Sequence, residues 1–119
     1  MSYVINFSRL AKSFKHAVHG LRHAFSYHQN LKIHSVLGVI VVFLGIILKL
    51  SYFEWIAIFL ATFLVFAAEM VNTALEEVIN LVKEEHSERA RIAKDVAAGM
   101  VLLAAIFAVI VGVIVFFLD

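Results

Sequence analysis

The run V-A-A-G-M-V-L-L-A-A-I-F-A-V-I-V-G-V-I-V-F-F-L (96–118) is 23 residues without one charge. About 20 consecutive apolar residues span the hydrocarbon core of a bilayer as a helix. Working back from it, Trp55 to Ala68 is a second uncharged run, and Ser35 to Leu48 is a third. With Leu31, Ile33 and Leu50 at its ends, the earliest run also reaches the length of a span. The chain is 63% hydrophobic over 119 residues, against roughly 45–50% in soluble domains. So short a chain cannot bury that much apolar surface in a core of its own, and lipid is the expected solvent. There is no Pro to break the helices and no Cys, so disulfides and thiolate metal sites are excluded. The expected fold is an all-α membrane protein forming a single domain over 1–119. Its membrane helices are expected at 31–50, 55–82 and 96–118.

The first 30 residues differ in kind. Phe7, Leu10, Ala11, Phe14, Ala17, Val18, Leu21, Ala24 and Phe25 recur at helical spacing. Arg9, Lys12, Lys15, His16, His19, Arg22 and His23 take the opposite face. A basic amphipathic helix of this kind belongs in the membrane interface, among anionic headgroups. A helix docked on a soluble partner is the plainer alternative. The segment lacks the uninterrupted apolar run and cleavage site of a signal peptide. Lys and Arg number five in residues 1–34 and four in 83–95, against one in 49–54 and none after 118. The positive-inside rule then puts the N-terminus and the 83–95 segment in the cytoplasm and the C-terminus outside.

Chemistry concentrates on the middle span. Glu69, Asn72 and Glu76 stand at i, i+3 and i+7 and fall within about 60° of one another on a helix, Asn80 extends the stripe, and Glu77 is turned about 80–100° away. Glu69 follows fourteen uncharged residues, which places it near the apolar slab, where an ionisable group costs about 2.5–3.5 kcal/mol and usually faces a polar cleft. A hydrogen-bonded seam between helices would explain Asn72 alone. Two carboxylates fit that reading less well, because like charges repel unless a cation or proton lies between them. Lys94 and Asp95 precede the last span. On position alone Lys94 reads as a headgroup anchor, with phosphate binding as the alternative. The glycines are scattered and form no phosphate loop. Five of the six His lie in 16–34; pairs one turn apart (His16 and His19, or His19 and His23) could hold a transition metal, but a polar-face role is the simpler one.

E-M-V-N-T-A-L-E-E-V-I-N (69–80) followed by A-K-D-V-A-A-G (93–99) resembles the small bacterial diacylglycerol kinase and undecaprenol kinase family. The resemblance extends to G-L-R (20–22), N-L-K-I-H (30–34) and the loop lengths. It implies a homotrimer in the bacterial plasma membrane that transfers the γ-phosphoryl of ATP, with Mg²⁺, to a membrane lipid alcohol. No nucleic-acid partner is expected. By the same resemblance Glu69 would be the catalytic base and Asn72 would orient groups around the phosphoryl. Glu76 would hold the cation. Lys94 and Asp95 would hold the nucleotide, with Arg9 and His16 reaching it from the surface helix and Glu85, His86 and Ser87 edging the adenine. Two departures stand out. The family usually has Glu at His28, sharing the metal with Glu76, and Asp at Asn80. An imidazole is a poor ligand for Mg²⁺. K-D-V-A-A-G is more like undecaprenol kinases than diacylglycerol kinases. The alternative of another class is a non-catalytic membrane oligomer or accessory subunit whose acids line a polar seam.

Overall fold

The computed structural model describes residues 4–82 and 87–118, and these form four α-helices with no strand among them. Helix α1 runs Phe7–Tyr27, α2 Gln29–Leu48, α3 Tyr52–Val82 and α4 Glu88–Phe117. The last three are long and apolar enough to cross a membrane. Large side chains such as Phe43, Phe63, Leu103 and Phe117 are exposed, as expected where lipid is the solvent.

The helix bounds differ from those expected, and capping chemistry gives the reason. The side chain of Asn6 accepts from the N–H of Arg9 at 3.1 Å and starts α1. His28 is extended (φ −114°, ψ 116°) and serves both as the cap ending α1 and as the cap opening α2. The first membrane helix therefore begins at Gln29 rather than 31. It ends at Leu48 because Lys49 is left-handed (φ 55°, ψ 59°). The N–H groups of Lys49 and Leu50 then donate to the carbonyls of Ile46 and Gly45, at 3.3 and 3.1 Å. That is the Schellman pattern of helix termination.

Ser51 and Glu54 form a reciprocal capping box, with Ser51 N–H donating to Glu54 Oε1 at 2.9 Å and Glu54 N–H to Ser51 Oγ at 3.3 Å. This starts α3 at Tyr52 rather than 55. Ser87 Oγ accepts from the N–H of Ala90 at 3.0 Å, so α4 begins at Glu88, eight residues before the apolar run. Its first turns carry charge on an exposed face, where Arg91 pairs with Glu88 and with Asp95.

Helix α3 is the centre of the packing, held along much of its length by α4 and more lightly by α2. Its buried residues are Ile58, Ala61, Val65, Ala68, Glu69, Thr73 and Ile79, a stripe whose spacing is three or four residues from Ile58 to Ala68 and again from Glu69 to Thr73. Against it α4 presents small residues, including the buried Ala90 and Ala97, which let backbones approach closely in the absence of a hydrophobic drive. The stripe is apolar up to Ala68 and then changes character.

Candidate active site

That change is set by the register of α3. Since Ala61, Val65 and Ala68 face inward, the same spacing turns Glu69 and Thr73 inward too. Glu69 is only 3% exposed. Its Oε1 lies 3.3 Å from Nε2 of His34, on the second turn of α2. The ring of His34 also stands nearly perpendicular to that of Phe66 (centroids 6.4 Å apart, 77°). One turn further along, Nδ2 of Asn72 donates to Oε1 of Glu76 at 3.2 Å. His28, Gln29, Asn30, Glu69, Asn72, Thr73 and Glu76 together line a polar pocket of about 190 Å³. Beyond it lies an apolar groove of about 410 Å³, whose walls come from α2, α3 and α4. His34 is in the wall of the groove and Glu69 in the wall of the pocket. The His34–Glu69 contact is therefore the seam between them.

The structure thus brings together four of the residues expected at the site: Glu69, Asn72, Glu76 and His28. Of the other expected residues that are described, Arg9, His16, Ser87, Lys94 and Asp95 do not line that pocket. Arg9 and His16 are exposed on α1, away from the pocket lining. Lys94 is half-buried and Asp95 exposed near the start of α4, and neither lines the pocket. Ser87 is the helix cap already described. Glu85 and His86 lie outside the described residues. His34 and Thr73 are site residues that sequence reading passed over. Thr73 stands four residues after Glu69, a spacing that shares a helix face. His34 closes the charge-free run 35–48, and an ionisable ring at the edge of a span was its available signal.

Glu76 suits Mg²⁺. One carboxylate with phosphate oxygens and water is an ordinary shell for that ion. His28 does not suit it, since it offers nitrogen to a hard cation.

A buried carboxylate at the junction of a polar pocket and an apolar groove, in a chain whose helices can cross a membrane, suits chemistry on a molecule that lies in the lipid. The comparisons give the family. The model of prokaryotic diacylglycerol kinase matches residues 15–116, and the chain belongs to that family and is a lipid kinase, with ATP as co-substrate. It is 35% identical over 109 residues to an undecaprenol kinase of Bacillus subtilis, covering 92% of this chain and 89% of that protein. It is 45% identical over 104 residues to a diacylglycerol kinase of Synechocystis, covering 87% of this chain and 59% of that longer protein. A diacylglycerol kinase of Helicobacter pylori is 27% identical over 101 residues, covering 85% and 79%.

Proposed function

We propose that the protein phosphorylates undecaprenol to undecaprenyl phosphate at the cytoplasmic face of the bacterial plasma membrane, as a homotrimer. The observation that carries the mechanism is the seat of Glu69, buried, beside His34, at the seam of pocket and groove. A lipid alcohol must keep its chain in apolar surroundings and offer its hydroxyl at a polar boundary. Glu69 stands at such a boundary and takes the hydroxyl proton as the lipid oxygen bonds to the γ-phosphorus. The bond from that phosphorus to the β-phosphate bridging oxygen breaks, and ADP leaves. His34 holds the Glu69 carboxylate in one orientation, so the base is aimed before substrate arrives. Asn72 fixes Glu76 by its amide. Glu76 would hold Mg²⁺, which when bound would supply positive charge against the phosphates. Lys94 is the phosphate-binding point charge, with Asp95 beside the nucleotide.

The separation of Lys94 and Asp95 from the pocket supports the trimer, because a neighbouring copy can bring its α4 to the pocket of this one. Sheltering a polar stripe from lipid by symmetric association is the usual solution. The uncovered apolar face of α1, with Phe7 74% and Phe14 69% exposed, supports a helix lying in the interface, and the Lys and Arg distribution supports a cytoplasmic site. The acceptor reading rests on K-D-V-A-A-G and on the near full-length match to the undecaprenol kinase. Diacylglycerol is the second reading, favoured by the higher identity to the Synechocystis protein. Phosphorylation of the two acceptors by purified protein in micelles with MgATP decides between them. A higher kcat/KM for undecaprenol is expected, and a clear preference for diacylglycerol overturns it. Cross-linking in mild detergent that stops at dimers would overturn the trimer.

A further inference from the structure

Glu77 is turned off the Glu69–Asn80 stripe and has no part in the chemistry above. In the structure it meets two imidazoles. One ligand atom each from His23, His28 and Glu77 lies within 4.8 Å of the others. The three come from separate elements. His23 is in the last two turns of α1, His28 is the residue between α1 and α2, and Glu77 is five residues before the end of α3. We propose that His23, His28 and Glu77 form a binding site for a divalent transition metal of the Zn²⁺ class, distinct from the cation held by Glu76.

The donor set argues for that class of ion. Two imidazoles and one carboxylate are a common ligand set for Zn²⁺ and its first-row neighbours, whereas Mg²⁺ prefers oxygen throughout. Donors around a tetrahedral ion with bonds of about 2.0–2.1 Å stand roughly 3.3 Å apart. The trio is therefore open by about an ångström and a half at its widest. His23 and Glu77 are both exposed, so their side chains have room to turn toward a common ion. The Tyr27 ring lies tilted against that of His23 (centroids 4.8 Å, 41° between planes), which flanks the His23 ring on one side. Three protein donors leave a fourth position for water or an anionic oxygen.

Occupation of the site has a structural consequence. It ties the end of the surface helix directly to α3, beside the ring contact of Phe25 with Phe66 (5.6 Å). It also fixes His28, which lines the polar pocket.

The test is Co²⁺ binding, because its visible absorption reports coordination. Tag-free full-length protein in detergent, without nucleotide or lipid, is titrated with CoCl₂. The expected result is one Co²⁺ per chain, with the bands of a four- or five-coordinate ion, displaced by equimolar Zn²⁺ but not by a thousandfold excess of Mg²⁺. His23→Ala and Glu77→Gln should each weaken binding at least tenfold with helical content unchanged. Glu77→His, which keeps a ligand, should restore it. His19→Ala and Glu76→Gln should stay within twofold of the parent. Absence of Co²⁺ binding, displacement by Mg²⁺, or a loss in His19→Ala or Glu76→Gln matching that in His23→Ala would overturn the site. The phosphoryl-transfer reading stands or falls separately, since no step of this measurement involves catalysis.

Discussion

At the Lys49–Glu54 end of the α2–α3 pair, the capping box, the left-handed cap and the packing of Trp55 against Phe59 (5.4 Å, 22°) all act to close a turn. At the opposite end, around Glu69, polar side chains face a pocket, and the Asn72–Glu76 and His34–Glu69 contacts join side chains to one another rather than cap helix ends. Gly45 shows how closely the first end is built. A Cβ placed there would stand 2.6 Å from Trp55 Cη2 and 2.9 Å from Leu50 Cδ1. The Glu69 end is more open, with a polar pocket of about 190 Å³ between its side chains. The lesson is that tight local packing and the polar pocket occupy opposite ends of the same two helices. Substitutions at the two ends should therefore fail differently, one through stability and the other through rate.

The largest effect expected at the open end is on turnover. Glu69→Gln should lower kcat by roughly 10²–10⁴-fold, as for a lost general base, while MgATP affinity and the oligomer survive. Glu76→Gln should instead weaken nucleotide binding by roughly ten- to a hundredfold, the range for removing a charged partner worth about 1.5–3 kcal/mol. MgATP titration beside initial rates separates the two. If Glu69→Gln lost affinity as badly as Glu76→Gln, the division of roles would be wrong.

At the closed end Gly45→Ala should destabilise by about 1–3 kcal/mol through overpacking against the indole of Trp55. Activity per folded molecule should stay unchanged. Thermal unfolding in detergent together with active-fraction titration reads both. A large rate loss in folded protein would break the contrast between the ends.

His34 offers a finer probe of the open end. His34→Leu removes an orienting contact worth about 1–1.5 kcal/mol and should lower kcat about tenfold with KM for ATP unaltered. His34→Gln can still reach Glu69 and should recover most of the loss. Equal impairment in both variants would count against a positioning role. The smallest effect belongs to Lys49. A left-handed residue with a Cβ costs roughly 1–2 kcal/mol, less the chain entropy of glycine. Lys49→Gly should therefore raise the unfolding midpoint slightly and leave kinetics alone.

The three spans and the Glu69–Asn72–Glu76 face were legible in the sequence because both are local properties. In lipid, composition over about 20 residues decides where a helix crosses, and the 3.6-residue repeat fixes which side chains share a face. The helix ends were less legible. Charge marks where the slab stops, whereas caps such as Asn6, Ser51 and Ser87 mark where the helix stops, and the two need not coincide. What only the tertiary structure decided is what meets across helices. The approach of His34 to Glu69 depends on how α2 leans on α3. The gathering of His23, His28 and Glu77 depends on the break at His28 and on the register of α1 against α3. Sequence periodicity orders residues around one helix axis, but it does not carry the relative placement of two axes, and that placement is what turns separate polar residues into sites.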